Sequence, residues 1–357
     1  MAQKIRLLLL GSAFAADLHV DAYSRIREKV DIVGIASADS DQAHKLLEKY
    51  GFSGQEFYTD YHDAVENCAC DVVDICLPNF LHHPATMAAI AAKRHVICEK
   101  PLATTVEAGR EMVQAARKAG VRIYYAEDWM GSPALSKARE IIEQGAIGDL
   151  KFIRAREAHS GSHSPFVQKI ATAGGGALIH LGAHPITFAL AMNDNRWTEL
   201  VAMTSGGSEG NLIHKGMEGE DWSAALIKFQ SGMKAIVEAN FITYGGMEDS
   251  IDFYGTEGCL HVDLTFSSPL HGFSIPGFEY TVEKAEITTG WARPVVDEKY
   301  NLGYVAELTL FINCLQKGIE APLGLRGEDG LETLEVINFI YESARTGKKI
   351  TNPNQGN

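Results

Sequence analysis

The first 126 or so residues alternate short, near-continuous apolar runs with stretches of helical periodicity, and this alternation constrains the fold more than any other feature of the chain. Ile5–Leu10 and Asp31–Ala36 are two such runs, with a helix-like stretch over Asp17–Glu28 between them. Asp71–Leu77, His95–Cys98 and Arg122–Ala126 continue the series, and helical patterns fall over Asp41–Tyr50, Pro84–Lys93 and Thr105–Lys118. Strands that are apolar at nearly every position are buried on both faces, as happens when helices cover a parallel sheet. Gly51, Gly120 and Gly145 each follow a helical pattern, where a left-handed residue closes the last turn. The expectation is an α/β chain opening with a doubly wound parallel sheet over residues 1–128.

Beyond Trp129 the texture changes. One helix, Ser132–Gln144, is followed by strand patterns at Asp149–Ala158, Trp197–Ser205, Trp222–Phe229, Lys234–Ile242, Ser250–Tyr254 and Cys259–Leu264. Successive strands without intervening helices predict an α+β domain over 129–350 with an open, largely antiparallel sheet. Helices at Tyr304–Gln316 and Leu331–Arg345 close the chain, and the polar tail Thr351–Asn357 reads as frayed. A chain of 357 residues is long for a single core, so two domains are expected. An open sheet face leaves apolar surface, which predicts a homodimer or higher homo-oligomer through that sheet.

The formal charge of −14 argues against nucleic acid and against an anionic membrane surface, both of which attract basic faces. No run approaches the roughly 18 apolar residues of a membrane span. Lys4, Arg6, the four leucines Leu7–Leu10 and Ala13-Phe14-Ala15 imitate a secretory leader. Four leucines fall short of the roughly 7–15 residues such a leader needs, so a buried strand is the stronger reading. Cys68, Cys70, Cys76, Cys98, Cys259 and Cys314 contain no C-x-x-C pair and read as small buried hydrophobes, which points to a cytoplasmic address.

Gly11-Ser12-Ala13-Phe14-Ala15-Ala16 follows the first strand and opens the first helix, the place where a dinucleotide pyrophosphate rests on a helix N-terminus. Gly11 permits the tight turn and Ala16 permits close helix–strand packing, while Ala13 replaces the middle glycine of the G-x-G-x-x-G fingerprint. Ser37 stands near the end of strand two, where an acidic residue would meet the ribose, with Asp39 and Asp41 close by and no adjacent arginine to clamp a 2′-phosphate. NAD is favoured over NADP on that ground. The same residues also suit plain capping of the following helix. Strand three ends in Leu77-Pro78-Asn79 with His82 following, and strand four runs into Glu99-Lys100-Pro101. Such strand ends line the crevice where doubly wound sheets bind ligands, and packing alone asks for no lysine there. Glu127 and Asp128 end strand five at the same edge.

These residues resemble the glucose–fructose oxidoreductase / inositol dehydrogenase (Gfo/Idh/MocA) family over nearly the whole chain. The resemblance rests on L-P-N-x-x-H at 77–82, on Glu99-Lys100-Pro101, on the segment from Gly174-Gly175-Gly176 through His180 to Gly182-Ala183-His184, and on Gly255-Thr256-Glu257-Gly258. It implies a Rossmann domain, a second domain whose open sheet mediates oligomerisation, and hydride transfer between nicotinamide and a sugar or cyclitol carbinol. Gly11, Ala13, Phe14, Ala15, Ser37, Asp39, Leu77, Pro78, Asn79, His82, Glu99, Lys100 and Glu127 would then contact the cofactor. Lys100 would contact the substrate hydroxyl and His184 would exchange its proton. Many members of the family carry Asp where this chain has His180, so His180 would be a second neutral base or a sugar ligand.

Proton removal from a carbinol needs a base with a pKa near neutrality, which histidine has. A lysine beside it would stabilise the alkoxide and keep the imidazole neutral. Four histidines, His159, His163, His180 and His184, fall within 26 residues together with Glu157. They could grip sugar hydroxyls or hold Zn²⁺ or Mn²⁺; their spacing matches no compact ligand motif, which makes sugar binding the stronger reading. Trp129 and Tyr125 could stack on a sugar face, although core packing is the commoner fate of such rings. The leading expectation is a dehydrogenase of a sugar, glycoside or cyclitol. Behind it stand an enzyme that recycles tightly bound NAD for glycoside oxidation and elimination or for transhydrogenation, and a silent dinucleotide sensor.

Overall fold

A computed structural model describes residues 3–162, 164–265, 270, 272–278, 289–292 and 296–354. They form two compact units, Met1–Ser132 with Gly303–Leu334, and Pro133–Leu302 with Glu335–Asn357. The sequence pattern placed 303–334 in the second domain. Nothing local to that helical stretch marks its return to the first.

The first unit is a six-stranded parallel sheet built in chain order from β1 (Ile5–Leu10), α1 (Phe14–Ser24), β2 (Val30–Ala36), α2 (Ser40–Lys49), β3 (Glu56–Tyr58), α3 (Tyr61–Asn67), β4 (Val72–Ile75), α4 (Asn79–Ala91), β5 (His95–Glu99), α5 (Val106–Ala119) and β6 (Ile123–Ala126). The strand order β3-β2-β1-β4-β5-β6 is that of a Rossmann sheet, whose order reverses at β1. Leu7–Leu10 are fully buried in β1, between β2 and β4, so the leucines that imitated a leader form the central strand.

Three details differ from the expected pattern. β3 and α3 went unseen, because β3 is a short, mostly exposed edge strand with no apolar run to announce it. α1 starts at Phe14 and ends at Ser24, earlier at both ends than Asp17–Glu28. α4 starts at Asn79, which leaves Pro84 inside the helix rather than at its beginning, at the cost of the hydrogen bond to the Phe80 carbonyl. His82 therefore lies on α4.

The second unit carries α6 (Pro133–Glu143), β7 (Leu150–Ala158), three short helices α7 (Ile170–Ala173), α8 (Ala177–His180) and α9 (Ala183–Ala191), and then β8 (Trp197–Thr204), β9 (Trp222–Phe229), β10 (Lys234–Asn240), β11 (Glu248–Gly255) and β12 (Cys259–Asp263). The sheet order is β12-β11-β7-β10-β9-β8, completed by Ile350–Thr351 on β8. β7 and β10 run parallel and the remaining pairs antiparallel, so the sheet is largely antiparallel as expected. α9 packs against β7 and β10. On the opposite face Val201 pairs with Leu226, and Leu226 with Ile236, with Val201, Met203 and Leu226 exposed.

Two further expectations are corrected. Thr351 is paired rather than frayed, and the Asn352 amide donates to the Thr198 carbonyl at 2.8 Å. Cys259 lies exposed on β12, whereas the other five thiols are buried. Side chains along β12 alternate between exposed and half-buried, and Cys259 falls on the exposed face. Among the described residues no helix is long and apolar enough to cross a membrane.

Candidate active site

In the first unit the turn after β1 is shaped by Gly11, whose φ is +107° and whose amide donates to the Ala36 carbonyl at 2.8 Å. A Cβ there would overlap the Cys76 carbonyl. Ala13 is the N-cap of α1, no side chain caps the first turn, and Ala13 and Phe14 are exposed. An uncapped, solvent-facing helix N-terminus at the point where strand order reverses fits a dinucleotide pyrophosphate. The Ser37 hydroxyl lies 2.7 Å from that of Ser12 and accepts the Asp39 amide, tying the end of β2 to the turn. Asp39 caps α2 by accepting the Gln42 amide at 2.9 Å, which is the capping arrangement that the sequence left open.

Pro78 is the N-cap of α4 and Asn79 opens it, buried, with Leu77 just before. From α4 the His82 ring lies 2.8 Å from the Leu77 carbonyl and 2.7 Å from the Pro101 carbonyl, so it laces together the chain after β4 and after β5. Burial outweighs both carbonyls and lowers the His82 pKa, so the neutral ring donates to one of them at a time. Glu99 ends β5 and Lys100 follows, half-buried, joined to Pro101 by a cis peptide bond. The Lys100 amide donates to Glu99 Oε2 at 3.0 Å. The Glu127 amide donates to Glu307 Oε1. Burial, then the charges of Asp128 and Glu99, push the Glu307 carboxyl well above its ordinary pKa. Trp129 and Tyr125 are each 1% exposed and sit in the core, so neither ring presents an open face.

In the second unit His184 on α9 is 4% exposed, and its Nε2 lies 3.8 Å from Oε2 of Glu157 on β7, which is 2% exposed. His180 ends α8 with its ring 5.8 Å from that of Phe241, and the His159 ring lies 5.0 Å from the same phenyl. His159 Nδ1 accepts the Gly161 amide at 3.0 Å. His163 lies outside the described residues. Of the four groups weighed as metal ligands, Glu157 and His184 thus lie against each other, and His159 has one ring nitrogen engaged by backbone.

The glycine-rich segment folds as it does because of residues that the sequence did not single out. α8 has no cap of its own. Its first amides are taken by Glu220: Leu178 N donates to Oε1 at 2.7 Å, Gly176 N to Oε2 at 3.2 Å and Ala177 N to the Glu220 carbonyl at 2.7 Å. The Tyr341 hydroxyl donates to the same carboxylate at 3.1 Å. A Cβ on Gly176 would overlap the Glu220 backbone, which is why that position has none. Burial raises the Glu220 carboxyl to about 7 despite these donors. Its neighbour Asp221 is buried too, yet the amides of Leu212, Ile213 and His214 hold it below the usual range. The only local signal was an acidic pair placed directly before an alternating strand.

Residues 5–127 match the model of an oxidoreductase family with an NAD-binding Rossmann fold, and residues 135–261 match the Gfo/Idh/MocA C-terminal domain. The chain is 26% identical over 359 residues to a D-glucoside 3-dehydrogenase of Escherichia coli (strain K12), covering 97% of each protein. It is 32% identical over 329 residues to a mouse trans-1,2-dihydrobenzene-1,2-diol dehydrogenase, covering 90% of each. Among solved structures, GenD2 from gentamicin A biosynthesis in complex with NAD shares the fold with a TM-score of 0.89 at 23% identity, over 99% of this chain and 97% of that one.

Proposed function

Since the chain belongs to the Gfo/Idh/MocA family of NAD-binding oxidoreductases, we propose that it oxidises a ring hydroxyl of a sugar, glycoside or cyclitol. When bound, NAD supplies the hydride acceptor, held by the open N-terminus of α1 and by the ends of β2, β4 and β5. The observation that carries the reading is Lys100, set at the carboxyl end of β5 with its amide fixed by Glu99. Its ammonium stabilises the alkoxide that forms as the hydroxyl loses its proton. His184 accepts that proton, and the Glu157 carboxylate at 3.8 Å stabilises the imidazolium that results. Glu157 thus supplies the negative charge that many relatives carry at position 180, which frees His180, with His159, to hydrogen-bond sugar hydroxyls.

NAD is preferred over NADP, because Asp39 and Asp41 would repel a 2′-phosphate near Ser37. The exposed row Val201, Met203 and Leu226 supports assembly through the open sheet face. The burial of Leu7–Leu10 in β1 and the six free thiols support a cytoplasmic address.

The test is absorbance at 340 nm with NAD⁺ and a panel of glucosides, free aldoses and inositols. Steady NADH formation with one class is expected, with NADP⁺ slower, and Lys100→Met should reduce turnover at least about 100-fold. A Lys100→Met enzyme keeping more than about a tenth of wild-type turnover would overturn the assignment.

A further inference from the structure

One buried charged cluster in the first unit has no part in the scheme so far. His19, in the second turn of α1, is fully buried. Its Nδ1 lies 2.8 Å from Asp74 Oδ2 on β4, and its Nε2 lies 2.9 Å from Glu99 Oε1 on β5. The Tyr23 hydroxyl, one turn on, donates to Asp74 Oδ2 at 2.8 Å. The other Glu99 oxygen accepts the Lys100 amide. A chain of contacts therefore runs from Tyr23 and Asp74 through the imidazole to the Glu99 carboxylate, and ends on the backbone of the lysine.

An imidazole donates from both nitrogens only when protonated. Burial alone would strip that proton, but the Asp74 charge and hydrogen bond lift His19 well above its ordinary pKa. Burial likewise pushes Glu99 up, and the His19 hydrogen bond and charge, with the Lys100 charge, bring it below the usual carboxylate range. The groups facing the imidazolium are Tyr23 on α1, Asp74 on β4 with Cys76 beyond it, Glu99 on β5, and Tyr304 and Glu307 from the helix Tyr304–Lys317, with Asp128 after β6 acting on Glu99 and Glu307. Two buried carboxylates against one imidazolium leave one negative charge, and the Lys100 ammonium offsets it. Replacing buried ion pairs by apolar side chains often stabilises a fold. Stability alone is therefore a weak reason for the arrangement, and its end on the Lys100 amide is a specific one.

We propose that His19 is a positioning residue: an imidazolium clamp between β4 and β5 that holds the Glu99 carboxylate in the orientation that captures the Lys100 amide. Its consequence for turnover rests on the role given to Lys100 above.

Asparagine and glutamine separate the two halves of the clamp. The amide nitrogen of His19→Asn takes the place of Nδ1 and keeps the bond to Asp74, whereas that of His19→Gln takes the place of Nε2 and keeps the bond to Glu99. The primary readout is hydrogen exchange at the Lys100 amide in the full chain without ligand, measured by mass spectrometry on overlapping peptides. Exchange is expected to be at least about tenfold faster in His19→Asn and within about threefold of wild type in His19→Gln. On the substrate found in the 340 nm panel, kcat should follow the same order, with KM for NAD⁺ within about threefold. Unchanged Lys100 protection in His19→Asn, or equal loss in both variants, overturns the clamp. If Lys100→Met stays active, the catalytic role of Lys100 fails, while the exchange result still decides the clamp. Should either variant not fold, His19→Asn/Glu99→Gln removes one buried charge of each sign and takes its place. Fast exchange in the double variant supports the clamp, and wild-type protection overturns it.

Discussion

Glu220→Gln isolates one proton. In the folded protein burial raises the Glu220 carboxyl to about 7 from an ordinary 4.5, so the native state holds a proton that the unfolded chain has released between those pH values. The sign follows from linkage: where the native state binds more protons, stability falls as pH rises. The contribution is most favourable below about pH 4.5, declines through the window, and levels off above about pH 7. A shift of about 2.5 units corresponds to about 3 kcal/mol, of which roughly 2–3 kcal/mol falls between pH 5 and pH 8. Glutamine cannot titrate. It still accepts the Leu178 amide, but its second polar atom is a donor facing the Gly176 amide, a mismatch that costs about 1 kcal/mol at every pH. The variant should therefore be less stable than wild type at pH 4, about equal to it near pH 5 and more stable by roughly 2 kcal/mol at pH 8. Urea unfolding at four pH values, followed by far-UV circular dichroism, reads this crossing directly. Parallel pH dependence in the two proteins would refute the argument that Glu220 is protonated when it caps α8.

Other expectations follow from the same geometry. His184→Asn should lower kcat by about 100-fold or more and abolish the acid limb of its pH profile; an unchanged profile assigns the proton to another group. Glu157→Gln keeps the shape and removes the charge, so kcat should drop at least about tenfold with KM little changed, and an equal rise in KM would mark it as a substrate ligand instead. Gly11→Ala forces a side chain into φ +107° and against the Cys76 carbonyl. It should cost about 1–3 kcal/mol of stability and at least about tenfold in NADH affinity by fluorescence titration, and wild-type affinity would separate the turn from cofactor binding.

The elements legible in the sequence were those whose signal is local. Leu7–Leu10, Val72, Val73, Ile75 and Val96–Cys98 are apolar because both faces are covered, and the periodicity states as much. Lys100 stood out because a charge at the end of a buried strand lacks a packing reason. Legibility failed where a residue's purpose lies far along the chain. Glu220 caps a helix more than 40 residues before it, and Tyr341 reaches the same carboxylate from the last helix. His19 and Asp74 are unremarkable in helix and strand until α1 lies against β4. β3 went unseen for a different reason: an exposed edge strand has no apolar face for periodicity to report. The start of α4 was misplaced because proline was read as a helix opener, whereas the helix begins at Asn79, directly after Pro78.

The central claim is direct hydride transfer from a ring carbon to NAD with Lys100 and His184 serving the hydroxyl. It is tested by incubating the enzyme and NAD⁺ with methyl β-D-glucoside, and with myo-inositol, each deuterated at its ring carbons, and examining the recovered cofactor by NMR. The account predicts deuterium on the nicotinamide ring in the wild type, formed in step with a keto product, and little of either with Lys100→Met. Product formed with unlabelled cofactor, or no reduction with any ring-hydroxyl substrate while NAD binds normally, would contradict it.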